Sequence, residues 1–153
     1  MLGILLRAAL GVSLISGAAI AAEPWPQWRG PRGDGHVTAV APPLKFSAAN
    51  VVWKTPLPGR GQSSPVIWDD RVFLTTALDN GSERVVLAVD RRSGKILWQH
   101  TAWTGPPEPT HPMNGWASAS CATDSEGVYA FFGKGRGLFC YSKDVQRFRS
   151  KEL

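Results

Sequence analysis

Ser63-Ser64-Pro65-Val66-Ile67-Trp68-Asp69-Asp70-Arg71-Val72-Phe73-Leu74 consists of two short apolar runs separated by a pair of aspartates, and it opens a unit that the chain starts twice. Val85 to Val89 follows as a third apolar run and Lys95-Ile96-Leu97-Trp98 as a fourth, with turn-forming residues between them. The order then recurs as Ser118 to Thr123, a turn at Asp124 to Gly127, Val128-Tyr129-Ala130-Phe131-Phe132, Leu138 to Tyr141, and a last segment ending at Leu153. Four short strands per repeat, at a period of roughly 45 to 55 residues, is the layout of a propeller blade. The expected fold is all-β, a partial β-propeller of four-stranded antiparallel, WD40-like blades. One blade cannot bury both of its faces alone, so each must stack on a neighbour.

The turns between the runs have their own chemistry. Asp69-Asp70 and Asp124-Ser125-Glu126-Gly127 join first strands to second, and Asp79-Asn80-Gly81-Ser82 joins second to third. Asn-Gly supplies the positive φ values that a tight hairpin requires. Asp90-Arg91-Arg92-Ser93-Gly94-Lys95 joins third to fourth, with glycine where a left-handed residue is needed. Val85 to Val89 and Val128 to Phe132 are apolar at nearly every position, where a sheet with one wet face would alternate. That pattern favours sheets stacked between other sheets. Val51-Val52-Trp53-Lys54-Thr55 matches Ile96-Leu97-Trp98-Gln99-His100, which places Trp53 and Trp98 in equivalent positions about 45 residues apart, the blade period. Asn50 to Pro56 is accordingly expected to be a strand, one that completes another blade. The next equivalent position is Arg149, and the tryptophan is missing there.

Residues 1–22 read as a secretory signal peptide: a short start with Arg7, an apolar stretch from Ala8 to Ile20 rich in small residues, and a small-x-small pattern at Ala19-Ile20-Ala21. The other reading is a membrane anchor, which this short run followed at once by Glu23-Pro24 disfavours. The mature chain is then exported, periplasmic or extracellular, with no membrane span. Residues 23–49 have neither strand nor helix periodicity and are expected to be a Pro/Gly/Trp-rich coil held by Trp25 and Trp28. Formal net charge is +5, with basic residues dispersed over turns and strand ends such as Arg91, Arg92 and Lys95. That distribution reads as solvated edges and gives no nucleic-acid footprint. Cys121 and Cys140 fall on the first and third strands of one blade, nearly 10 Å apart at about 4.8 Å per strand. A disulfide needs Cα atoms within about 7 Å, so two mostly buried thiols are expected.

Trp25-Pro26-Gln27-Trp28-Arg29-Gly30-Pro31, Ser63-Ser64-Pro65-Val66, Arg71-Val72-Phe73-Leu74 and Asp90-Arg91-Arg92-Ser93-Gly94-Lys95-Ile96-Leu97-Trp98 together resemble the PQQ-like (quinoprotein-type) β-propeller repeat proteins. The chain is particularly similar to exported members described as like the BamB outer-membrane-protein assembly factor. The resemblance makes Trp53, Asp90, Gly94 and Trp98 the structural markers of the repeat. It also implies a ring of seven or eight blades, so residues 50–153 are expected to hold one strand, one full blade and most of a second. The expected origin is the N-terminal part of a larger propeller. The alternatives are a subunit that assembles with other chains and a truncated product without function.

A quinone-dependent oxidoreductase of this resemblance would need a Ca²⁺ site of carboxylate and amide oxygens, a carboxylate base and, typically, adjacent cysteines. Asp69, Asp70, Asp79, Asp90 and Asp124 all fall in turns, where turn formation explains them, and the two cysteines are far apart in sequence. No cofactor, PQQ included, and no metal or catalytic residue is therefore expected. Gly133-Lys134-Gly135-Arg136-Gly137 is a glycine-rich hairpin, because a phosphate-cradling loop needs a helix after it and a strand follows. His36, His100 and His111 lack metal-ligand spacing. The segment in excess of blade structure is the insert Thr104-Gly105-Pro106-Pro107-Glu108-Pro109-Thr110-His111-Pro112-Met113-Asn114-Gly115-Trp116. Long loops on a rigid scaffold are where binding resides, which makes His111, Asn114 and Trp116 the candidate contact residues. The competing reading is a Pro-stiffened connector whose tryptophan packs on the blade. The function expected is an exported, non-enzymatic binding or scaffold module whose partners are other proteins or further blades. The alternative is a fragment of a PQQ-dependent oxidoreductase.

Overall fold

A computed structural model describes residues 23–37, 43–133, 137–144 and 148–151, the last four as backbone. The expected signal peptide, residues 1–22, lies outside the described residues, as do Lys134 to Arg136 of the glycine-rich hairpin. Eight strands form two antiparallel four-stranded sheets in sequential order. The first sheet comprises β1 (Val66–Trp68), β2 (Arg71–Leu78), β3 (Glu83–Asp90) and β4 (Ile96–Thr104). The second comprises β5 (Ala122–Thr123), β6 (Gly127–Phe132), β7 (Gly137–Ser142) and β8 (Phe148–Lys151). The fold is thus all-β, with two propeller-type blades. Ala88 pairs with Trp98 and Cys140 with Arg149, so the ladders put Arg149 at the position that Trp98 holds one blade earlier.

The two sheets share one core. Phe73, Ala77, Val86 and Ala88 of the first pack with Val128, Ala130, Phe132, Phe139 and Tyr141 of the second, and Ala117 and Cys121 fill the space between them. Val85 to Val89 are buried at every position, as expected of a strand covered on both faces. Burial is less complete on β6, where Phe131 is 44 % exposed.

Two of the turns are built by their aspartates. One Asp90 carboxylate oxygen accepts from the N–H groups of Arg92 and Ser93 and from the Ser93 hydroxyl, and these bonds, Ser93's first, hold the carboxyl below its ordinary range. Asp124 repeats the device with Glu126 and Gly127. The Asn-Gly turn is wider than a two-residue hairpin: Asp79, Asn80 and Gly81 all have positive φ, because Leu78 pairs with Glu83 and four residues must reverse the chain.

Tryptophans join consecutive units. The Trp98 indole donates to the Lys143 carbonyl at 2.8 Å, and its ring packs 6.0 Å from both Phe73 and Tyr141. Trp53 does the same one unit earlier, donating to the Arg91 carbonyl at 2.9 Å. Arg91 and Lys143 occupy the same place in their turns, so a tryptophan hooks onto the next third-to-fourth-strand turn each time. The Trp53 ring lies on Gly94 (φ +73°), where a Cβ would come within 2.6 Å of it. Arg71 with Asp144, and Lys143 with Asp69 at 3.1 Å, tie the same end of the two blades.

Three expectations need correction. Asn50 to Pro56 is not a strand; the Trp53 indole and the Thr55 hydroxyl (2.6 Å to the Gly94 carbonyl) fasten it to the neighbouring turn, and among the described residues no strand pairs with it. The second blade has all four strands, but its first is cut to two residues, since the Ala119 carbonyl accepts from the Thr75 hydroxyl and the Ser120 hydroxyl from the Ser64 N–H instead of joining the ladder. Of the two N-terminal tryptophans only Trp25 holds the coil. It pairs with Ile67 in an antiparallel bridge and packs on Gly30, and the Pro26 carbonyl accepts from Thr123. Residues 25–26 thereby strap the free edges of β1 and β5 together, while Trp28 is 62 % exposed beside Arg29.

Both cysteines are thiols, as expected. Burial pushes the Cys121 thiol up to about 12, whereas Cys140 is only half-buried. An alkylating reagent at neutral pH is expected to label Cys140 first and Cys121 only on unfolding. Peptide mass mapping over time checks the order, and equal rates would contradict the burial of Cys121.

Candidate functional site

The chain reverses between β2 and β3 at residues 79–82 and passes between the blades through residues 105–121, so the insert and this turn lie at the same end. Arg84, one residue into β3, connects them. It sits in register with Ala77 on β2 and Trp103 on β4 and is only 1 % exposed. Its guanidinium donates to the Gly81 carbonyl and to Glu108 of the insert, at 2.9 Å for the latter. It also lies 5.1 Å from the Trp103 ring centre and 5.9 Å from that of Trp116. A buried guanidinium needs this much compensation, since desolvation costs several kcal/mol per ion, of order 5.

The rest of the insert is fixed to the same point. The Trp116 indole donates to the Glu108 carbonyl at 2.7 Å, and its ring covers Gly81 so closely that a Cβ there would come within 2.2 Å. The Gly105 N–H reaches the Ser82 carbonyl at 2.9 Å. Gln62 accepts from the Gly115 N–H at 2.9 Å and from the Ser118 hydroxyl at 3.1 Å. Between these anchors the tip folds on itself, with the His111 carbonyl accepting from Asn114 and His111 Nδ1 from Met113. The tip is exposed, and Met113 is 80 % so.

Between the insert and the far end of β6 is a pocket of about 390 Å³, whose lining includes Glu108, His111, Asn114, Trp116, Ser118 and Phe131. All three candidate contact residues therefore border one cavity. Trp116 also fits the competing reading, since it packs on the blade and shapes the pocket. Sequence reasoning missed Arg84, Glu108 and Gln62. Arg84 in particular runs against the expectation that basic residues at strand ends are solvated. The available signal was a single insert containing one acid and two flanking tryptophans, Trp103 and Trp116, facing one arginine.

Among the described residues no three His, Cys, Asp or Glu side chains converge as a metal-binding group. Asp90 and Asp124 are bonded into their turns, and the two cysteines lie on β7 and just before β5 rather than side by side.

The sheets, the tryptophan hooks and the turn signature define a β-propeller repeat protein. The family described as Outer membrane protein assembly factor BamB matches residues 32–145, more than half of the chain, and the protein belongs to that family. No curated protein matches the chain. Among the described residues no helix is long and apolar enough to cross a membrane.

Proposed function

We propose that this chain is an exported, non-enzymatic binding or scaffold module whose contact surface is the insert end of its blades and whose partners are other proteins. The observation that carries this is the insert itself: a long loop held at Arg84, Gly81, Ser82 and Gln62, with an exposed tip beside a pocket. A loop that only closed the chain would not need a buried arginine to fix its shape, whereas preorganisation lowers the ordering cost of binding. Membership of a family described as an assembly factor supports a protein partner. Export is supported by the small-residue apolar segment of residues 1–22. Function is expected to survive without any bound quinone or metal.

Photo-crosslinking tests the reading. A photoreactive residue at Asn114 is expected to capture a discrete protein species in the native envelope or secreted fraction. The same residue at Lys95, at the opposite end, is expected to capture none. Equal capture from both positions, or none from Asn114, would remove the insert end as the contact surface.

A further inference from the structure

We propose that Asn80 and Asn114 are latent deamidation sites, held unreactive because the anchors of the insert fix the glycine that follows each. The inference concerns the chemistry of the two Asn-Gly bonds and is independent of what the insert end binds.

Of the three asparagines in the chain these two precede glycine, and both are exposed. They flank Trp116: Gly81 lies under its ring, and Gly115 precedes it in the chain. Asparagine is thermolabile, most of all before glycine, whose lack of a Cβ leaves its amide nitrogen open to approach. In the reaction the glycine nitrogen attacks the asparagine Cγ, and the new C–N bond closes a five-membered imide. The glycine N–H proton passes through water to the side-chain nitrogen, which leaves as ammonia. Water then opens the imide on either side, giving aspartate or an isoaspartate whose main chain runs through the former side chain. No oxidant or reductant takes part.

The folded geometry opposes the first step at both sites. Asn80 has φ 52° and ψ 34°, so the Gly81 nitrogen lies nearly opposite Asn80 Cβ about the Cα–C bond. Ring closure needs the two nearly eclipsed, and ψ must turn through more than a right angle. Gly81 cannot follow that rotation where it stands. It is buried, a Cβ on it would come within 2.2 Å of the Trp116 ring, and its carbonyl accepts from Arg84. At the tip the restraint is hydrogen bonding. The Gly115 N–H, whose nitrogen is the nucleophile there, donates to Gln62 Oε1 at 2.9 Å and to the Ser118 hydroxyl at 3.1 Å. The Asn114 N–H is held by the His111 carbonyl at 2.9 Å. Reaction at either site therefore waits for local opening of the insert. Each product sets a carboxylate beside Trp116, and isoaspartate adds a main-chain atom, so a reacted insert no longer fits its anchors.

The test incubates the full chain in mildly alkaline buffer, folded and in urea, and follows both sites by peptide mass mapping and enzymatic methylation of isoaspartate. Both sites are expected to react at least about tenfold more slowly in the folded chain, as groups behind a local opening step do. Trp116→Ala is expected to speed Asn80 by a similar factor. Gln62→Ala is expected to speed Asn114 about fivefold, the effect of one net hydrogen bond, and to leave Asn80 unchanged. Cys121 remaining closed to alkylation shows that the blades stay folded in each variant. Folded rates equal to those in urea, an unchanged Asn80 in a folded Trp116→Ala, or an unchanged Asn114 in Gln62→Ala would overturn the proposal. Should Trp116→Ala also open Cys121, Gln62→Ala decides alone: acceleration confined to Asn114 supports the proposal, and equal or absent acceleration at the two sites removes it.

Discussion

Replacing Trp98 with alanine is expected to lower the stability of the folded chain by about 3–5 kcal/mol, the range for deleting a well-packed tryptophan. The ring stands between the blades, in contact with Phe73 on one sheet and Tyr141 on the other, so its loss opens the shared core rather than the surface of one blade. It also leaves the Lys143 carbonyl without its indole donor. Trp98→Phe keeps most of the packing and gives up the hydrogen bond, and its expected cost is smaller, about 1 kcal/mol. Urea unfolding of both variants separates the two contributions. Similar losses for Phe and Ala would mean that the hydrogen bond, not the packing, holds the blades together.

The second large effect is expected at the insert. Glu108→Ala leaves the Arg84 guanidinium, 1 % exposed, with a buried charge and without its carboxylate, a change that costs about 3–5 kcal/mol. The Gly81 carbonyl and the two tryptophan faces remain, which points to the lower end of that range. Arg84→Met combined with Glu108→Leu removes both charges and keeps apolar bulk between Trp103 and Trp116. That double variant is expected to be more stable than Glu108→Ala, because replacing a buried pair with apolar groups is often neutral or better. Thermal and urea unfolding of the single and double variants check the order. A double variant no better than the single would place the loss in loop packing and not in the stranded charge.

What could be read from the sequence differs by the range of the interaction. The hairpins were legible because Asp69-Asp70, Asp90 to Gly94 and Asp124 to Gly127 carry their turn chemistry within a few residues, and the ladder confirms the repeat alignment down to Arg149 opposite Cys140. Trp53 and Trp98 were legible as markers. Their acceptors were not, since a main-chain carbonyl about 40 residues away has no compositional signal. Asn50 to Pro56 looked like a strand because its pattern copies β4, but a strand needs a partner edge, and here the segment follows a turn instead. The insert was visible as excess length. Its fixing point was not, because Arg84 in Glu83-Arg84-Val85 looks like a strand-end charge until Glu108, Trp103 and Trp116 are brought around it.

The strap at residues 25–26 has a bearing on the order in which the molecule comes together. Pro26 waits for Thr123, a partner about 97 residues later in synthesis, and contacts of such sequence separation are slow to form. Until the second blade exists, Trp25 can already bridge the edge of β1 at Ile67, but the Pro26 carbonyl has no Thr123 to accept from. The strap is thus fastened in two stages, with its Pro26 half among the last contacts to form. The interval between those two stages is when the edge of β1 is least covered and most open to another extended segment.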